Sequence, residues 1–264
     1  MKIDLTGRTA LITGSSGGIG FAAAAALASS GASVVVNGRS SEKVDAAVER
    51  LRSLSPSSSA QGFVGDLSKA DVAEKLLEAH PECDVLINNL GMYAWKDFFE
   101  TSDAEWEDFV SVNVTSGIRL SRLYMPGMMR KGWGRVIFVS SESAINIPAD
   151  MIHYGITKTA QLALSRGLAK RAAGTGVTVN SVLPGPTLSD GVVSMLEGAT
   201  GLKGEGILGA ADDFVKANRP TSIIGRTATV EEVANMILYV ASPLSSATTG
   251  AALRVEGGIV DTAF

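Results

Sequence analysis

Short apolar runs punctuate this chain, and each is separated from the next by a stretch that reads as helix or turn. Thr9-Ala10-Leu11-Ile12, Ser33-Val34-Val35-Val36, Gln61-Gly62-Phe63-Val64, Val85-Leu86-Ile87, Val136 to Val139, Val177 to Leu183 and Ala252 to Val255 are too short for helices and read as buried strands. Between them, Phe21 to Leu27 is a strong helix former, and Ser41 to Leu54 reads as a helix with a polar face. Ser68, with Asp71 three residues on, is expected to cap a helix reaching about Glu78. Ser102-Asp103-Ala104-Glu105 is a capping box that opens a long helix through Asn113 to about Met129, and Thr229-Val230-Glu231-Glu232 opens another to about Ala241. A further helix carries Tyr154 and Lys158 to about Arg171. Strands alternating with helices, with no internal repeat or domain break, predict one α/β domain over residues 1–264. Its expected core is a doubly wound parallel sheet of about seven strands with helices on both faces.

Composition narrows the function classes. A hydrophobic share of 45% with 19% charged residues is that of a globular protein with a substantial core. The net charge of −4 gives no electrostatic footprint for nucleic acid. No apolar run approaches the length of a membrane span, and Met1 to Arg8 carries no signal-like apolar stretch, so a cytoplasmic protein without a membrane partner is expected. Cys83 is the only cysteine, which excludes an internal disulfide. With only His80 and His153 besides, no metal site is expected.

The first candidate chemistry lies at the end of the first strand. Thr13-Gly14-Ser15-Ser16-Gly17-Gly18-Ile19-Gly20 leads from that strand into the alanine-rich helix. Glycines let the backbone approach a pyrophosphate, and a helix N-terminus offers free N–H groups and positive potential. Gly14, Ser15, Ser16, Gly18, Ile19 and Gly20 are therefore candidate contacts of a dinucleotide. The second strand ends in Gly38-Arg39, with glycine where an NAD-binding unit places an acid for the adenosine ribose. A carboxylate there would repel a 2′-phosphate, whereas a guanidinium binds it, so NADP(H) is preferred over NAD(H).

The second candidate lies between Ser140 and Lys158. Tyr154 and Lys158 are four residues apart with no proline between, which on a helix puts phenol and ammonium on one face. A cation there stabilises a phenolate, and the spacing predicts a Tyr154 pKa below about 10. Such a tyrosine exchanges a proton with a substrate oxygen. Ser141 follows the fifth apolar run, which places its hydroxyl at the carboxyl end of a strand, where open α/β sheets bind ligands. The stretch at about 186–226 is expected to be a lid over a substrate pocket or a pair of surface helices, or both. Tyr93, Trp95, Ile147, Met151, Met195 and Leu196 are candidate apolar lining.

With these residues in order, the chain resembles the short-chain dehydrogenase/reductase family along nearly its whole length. The resemblance runs through the Thr13 to Gly20 turn, Asn88-Asn89-Leu90-Gly91, Asn113, Ser141, the Tyr154/Lys158 pair, Pro184-Gly185 and Val255-Glu256-Gly257-Gly258. It implies a Rossmann sheet and a catalytic set of Asn113, Ser141, Tyr154 and Lys158, with Asn113 holding a water that links Lys158 to solvent. It also implies that Asp66 and Leu67 face the adenine and that Asn88 and Gly91 face the nearby ribose. Lys158 would bind the nicotinamide ribose, while Pro184, Gly185, Thr187 and Ser189 would lie near the nicotinamide. A homotetramer or homodimer is the assembly it implies. The nearest pattern is that of 3-oxoacyl-acyl-carrier-protein reductases. Leu90 departs from the usual alanine, and Gly17 stands where NADPH-using relatives often carry a basic residue. Gly132 and Thr175 stand where the carrier reductases offer arginines to their acidic partner. The activity implied is NADP(H)-dependent reduction of a ketone, 3-oxoacyl chains among them, to a secondary alcohol with Tyr154 as proton donor. An NAD-dependent alcohol or sugar dehydrogenase is the alternative, and a cofactor-sensing protein without chemistry a more distant one.

Overall fold

The computed structural model describes residues 2–263, without the side chains of Met195, Ala199 and Glu205. In chain order its elements are β1 (Thr9–Ile12), α1 (Gly18–Ser29), β2 (Ser33–Gly38), α2 (Ser41–Leu54), β3 (Ala60–Val64), α3 (Ala70–Ala79) and β4 (Val85–Asn88). Then come α4 (Asp103–Val110), α5 (Ser116–Lys131), β5 (Gly134–Val139), α6 (Ile152–Arg171) and β6 (Val177–Pro184). The last part holds β7 (Thr187–Leu188), α7 (Asp190–Thr200), α8 (Glu205–Asn218), β8 (Ala228–Thr229), α9 (Val230–Ala241) and β9 (Ala252–Val255).

Seven parallel strands form one sheet in the order β3-β2-β1-β4-β5-β6-β9. Because side chains alternate across a strand, the continuous apolar runs supply both faces of this sheet. Ala10, Ile12, Val34, Val36 and Ile87 pack under α1, α2 and α9, while Leu11, Val35, Leu86, Val136 and Phe138 pack under α3, α5 and α6. The alanine run lets α1 lie close to its neighbours, with Ala23, Ala24 and Ala28 buried against the face that also takes Val233, Ile237 and Val240 of α9. Chain order reverses between β1 and β4, and the crevice outside the carboxyl ends of these two strands is where such sheets hold ligands.

The capping boxes at Ser102 and Thr229 form with Glu105 and Glu232. The expected cap at Ser68 does not. The helix starts after Lys69 without a side-chain cap, and Ser68 instead donates its N–H to Asp66 Oδ1 at 3.0 Å. Asp66 wins because a carboxylate two residues back closes a local turn directly after the strand. The long helix through Asn113 is also interrupted, by a π turn at Ser111–Thr115 between α4 and α5. Its extra residue re-aims the Asn113 side chain, and such turns are frequent at functional sites. No described helix is long and apolar enough to cross a membrane.

Candidate active site

Two buried amides hold the glycine turn. Asn37 Oδ1 accepts from the Gly14 N–H at 3.1 Å, and its Nδ2 donates to Phe63 O and Gly65 O. Asn89 Nδ2 donates to Thr13 O at 2.9 Å and Gly14 O at 3.0 Å. A Cβ on Gly20 would sit 2.6 Å from Asn89 Nδ2 and from Gly14 O, so the turn closes tightly only around glycine. Gly14 and Gly18 adopt positive φ of 60° and 56°. Both amides sit at strand ends, a polar signal in an apolar run that marked their position but not their partners.

The catalytic candidates meet at the ends of β4 and β5. Asn113 is 1% exposed; its Oδ1 accepts from Met92 N–H at 2.8 Å, and its Nδ2 donates to Met92 O at 3.0 Å and Thr157 Oγ1 at 2.9 Å. Its carbonyl accepts from Gln161 Nε2 at 2.6 Å. Asn113 thus braces Met92 against α6. Lys158 is buried, and its Nζ donates to Val139 O at 2.9 Å and lies 5.5 Å from the Tyr154 ring centre. Ser140 turns away and donates to Lys158 O at 2.9 Å, leaving Ser141 on the cavity.

Electrostatics corrects one expectation. Burial pushes the Tyr154 phenol up to about 12, and a hydrogen bond with Ser141 offsets only part of that. The residue as a whole is half-buried while its hydroxyl end lies deeper among protein atoms. The nearby Glu142 carboxylate adds to the rise and Arg219 opposes it. Burial also lowers Lys158 to about 8. The four-residue spacing predicted a phenol below 10. Instead, desolvation dominates at each of the two groups.

These groups line a cavity of about 260 Å³. Its floor includes Ile19, Asn89, Gly91, Ser141, Tyr154 and Lys158, and its rim Pro184, Gly185, Thr187 and Ser189. The segment at 186–226 roofs it with α7 and α8, hinged on a two-stranded ladder in which Thr187 pairs with Ala228. Leu196, Ile207 and Ala211 form a small apolar cluster of its own inside the roof. Among the contacts that tie the roof down, Asp190 Oδ2 accepts from Gly18 N–H at 3.2 Å, Arg219 Nε donates to Glu142 Oε1 at 2.9 Å, Phe214 meets Trp95 edge-on at 6.1 Å, and Thr221, Ile223 and Ile224 bond to Ile259 O and Gly257 O.

Not every sequence candidate comes to this cavity. Ser15 is fully buried, with its hydroxyl on Ile12 O and its N–H on Asn37 O, so both polar groups are committed inside. Asn88 packs against Gly117, away from the cavity wall, and Asn89 takes that wall instead. The Leu67 side chain belongs to the core. Gly14, Ser16, Gly18 and Gly20 belong to the turn from β1 into α1, and Arg39 and Asp66 follow the ends of β2 and β3. Tyr93, Trp95, Met151 and Leu196 line the cavity, Ile147 does not, and the Met195 side chain lies outside the described residues. Among the cavity residues missed from sequence are Met92, Glu142, Phe214, Arg219 and Thr227.

The residues fit a dinucleotide on two observations. The N-cap of α1 is Gly17, which makes no side-chain cap, and the helix has no acid in its first turn. A Cβ on Gly38 would meet Ser16 Oγ at 2.9 Å and Val44 Cγ2 at 3.0 Å, so a larger residue there would have to displace both, while Arg39 beside it is exposed.

Comparisons with known proteins agree with this geometry. Residues 8–199 match the family model described as short chain dehydrogenase. An uncharacterized oxidoreductase of Bacillus subtilis strain 168, YvaG, is 46% identical over 264 residues, covering all of both chains. The L-sorbose reductase of Gluconobacter frateurii, solved with NADPH and L-sorbose, superposes with a TM-score of 0.91 at 27% identity, over 99% of this chain and 100% of that one. A 3-oxoacyl-acyl-carrier-protein reductase of Agrobacterium tumefaciens, solved with NADP bound, superposes with a TM-score of 0.86 at 28% identity, over 97% of this chain and 95% of that one.

Proposed function

The chain belongs to the short-chain dehydrogenase family of oxidoreductases, and from that premise we propose that it is an NADP(H)-dependent reductase of ketones. The observation that carries the reading is the convergence of Ser141, Tyr154 and Lys158 in one cavity beside the glycine turn. When bound, the nicotinamide supplies or accepts the hydride. Tyr154 and Ser141 hold the substrate oxygen by hydrogen bonds, and Tyr154 donates its proton there as negative charge develops. A phenol at about 12 stays protonated across the neutral range, which is the form reduction needs and oxidation does not. Lys158, at about 8, is the group placed to hold the ribose and to return a proton towards Tyr154.

The preference for NADP(H) is supported by Gly38, which puts no carboxylate at this position, and by Arg39, which takes part in none of the ion pairs among the described residues. It is supported also by the solved relatives that hold NADPH or NADP. Asp66 and Leu67, through its backbone, are assigned to the adenine; Gly91 and Asn89 to the ribose; Thr187 and Ser189 to the nicotinamide. We read residues 1–264 as one nucleotide-binding domain in the cytoplasm, with 186–226 as its substrate lid. Exposed Phe99, Val110, Ile118 and Ile156 suit an oligomeric contact.

The reading is tested by following NADPH consumption with a panel of 3-oxoacyl thioesters, ketoesters, sugars and aryl ketones. Carbonyl-dependent oxidation of NADPH, faster than of NADH, is expected. NADPH binding with no turnover of any carbonyl would leave only a cofactor-sensing protein.

A further inference from the structure

The roof delivers one cation to the catalytic corner of the cavity. Glu142 opens the short turn Glu142–Ala144 that follows Ser141, and its side chain is 3% exposed. A carboxylate so far out of water is stable only beside a cation and hydrogen-bond donors. Among the described residues that cation is Arg219: its Nε donates to Glu142 Oε1 at 2.9 Å, while Oε2 makes no hydrogen bond. Arg219 caps the C-terminal end of α8, where the helix dipole favours a cation. Its Nη1 donates to Asn218 O at 2.8 Å, and the chain after it is fixed by Thr221 on Ile259 O and by Ile223 and Ile224 on Gly257 O.

The pair shares its cavity with the reacting groups, since Glu142, Arg219, Ser141 and Tyr154 all line it. Its two charges act on the phenol in opposite directions, Glu142 raising the Tyr154 pKa and Arg219 lowering it. Without Arg219, the carboxylate would act uncompensated on the phenol that must release its proton. It would act also on the negative charge that grows on the oxygen Tyr154 holds, and both effects slow the same step. The two partners are not equivalent. Glu142 is enclosed and cannot be rehydrated, whereas the Arg219 side chain is 16% exposed and can turn to water.

We propose that Arg219 is a positioning residue for the reduction: by pairing with Glu142 from the end of α8, it cancels a buried negative charge that would otherwise oppose proton donation from Tyr154. Arg219 acts through Glu142 and need touch no reacting atom. This assignment rests on the ketone-reductase reading above and adds to it the part of the roof that the proton step requires.

The test is a double-mutant cycle on the single-turnover oxidation of bound NADPH by ethyl acetoacetate, or by the fastest ketone of the panel above. Arg219→Ala should slow this step by about 30- to 100-fold, the effect of a stranded buried charge, and leave NADPH affinity within about twofold. Glu142→Gln, which keeps an acceptor and removes the charge, should slow it by less than about fivefold. The double variant Arg219→Ala/Glu142→Gln should return to within about fivefold of the intact rate, because no charge is left to cancel. A contact that merely tethers the roof predicts the opposite, a double variant as slow as Arg219→Ala. If the alanine form does not fold, Arg219→Gln takes its place, alone and in the double variant. An Arg219 variant at the intact rate, a loss that lies in NADPH affinity, or a loss that Glu142→Gln does not restore overturns the role of Arg219 and leaves the reductase reading standing. No turnover of any ketone by the intact enzyme while NADPH still binds overturns the reductase reading, and this assignment with it.

Discussion

The floor of the cavity and its roof are built in opposite ways. The floor is locked by hydrogen bonds of side chains on strand ends, the π turn and α6: Asn37 and Asn89 on the glycine turn, Asn113 between Met92 and Thr157, Lys158 on Val139 O. The roof is two helices whose described side chains form a small apolar cluster of their own, joined to the floor at Gly18, Glu142 and Trp95 and, through residues 221–224, at Gly257 and Ile259. A small core separate from the main one favours low local stability, which is what a lid needs. The difference teaches where each property resides. On the proposed reading, chemistry sits on the closely hydrogen-bonded floor, and selection of the substrate on the roof.

That comparison breaks if floor variants act like roof variants. For cofactor binding, the largest effect is expected at Arg39, beyond the floor. Arg39→Ala should weaken NADPH by about 30- to 100-fold, the loss of one charge-assisted contact, and leave NADH within about twofold. Fluorescence titration of both cofactors measures this, and equal losses would show that Arg39 does not read the phosphate. Next, Asn113→Ala removes three side-chain hydrogen bonds and strands the Met92 N–H, so the protein should lose about 2 kcal/mol of stability in a urea titration. A smaller loss than that of a surface control would mean the π turn holds itself.

The pH profile sharpens the same contrast. Lys158 is lowered to about 8 by burial, so its cation is present below that pH and lost above it. The value of kcat/KM for NADPH, which reports the free enzyme, should fall about tenfold per pH unit above about 8. A flat profile to pH 10 would show that the ammonium is not required. The smallest effect is expected on the roof. Asp190 puts a carboxylate on the Gly18 N–H, where a pyrophosphate would compete with it, so Asp190→Asn should tighten NADPH by about threefold. Weaker binding would make this contact a support of the cofactor rather than a competitor.

The same division governs what the sequence could reveal. Strand runs, capping boxes at Ser102 and Thr229, Ser141 at a strand end and the Tyr154/Lys158 spacing are all local patterns, and the structure places them as the patterns imply. The π turn at Ser111–Thr115 carries no residue signal, because an extra helical residue is fixed by what Asn113 finds in Met92 and Thr157 rather than by propensity. The direction of the Tyr154 shift was misread for a related reason. Spacing shows which charges are near, but desolvation is a property of the packed fold. Glu142 and Arg219 lie 77 residues apart, and nothing local to either one reports the other. Ser15 and Asn88 sit within the right motifs, yet which face of the chain a turn residue presents depends on its partners, and these two face inward.

The central claim is that Tyr154 delivers the proton to a substrate oxygen from a site that binds the cofactor independently. Single-turnover oxidation of bound NADPH by a ketone, measured for the intact enzyme and for Tyr154→Phe alongside the NADPH affinity of each, tests it most directly. The account predicts an affinity changed by less than about twofold and a rate lowered by about 1,000-fold, the contribution of a positioned proton donor. A variant that keeps the intact rate would contradict it.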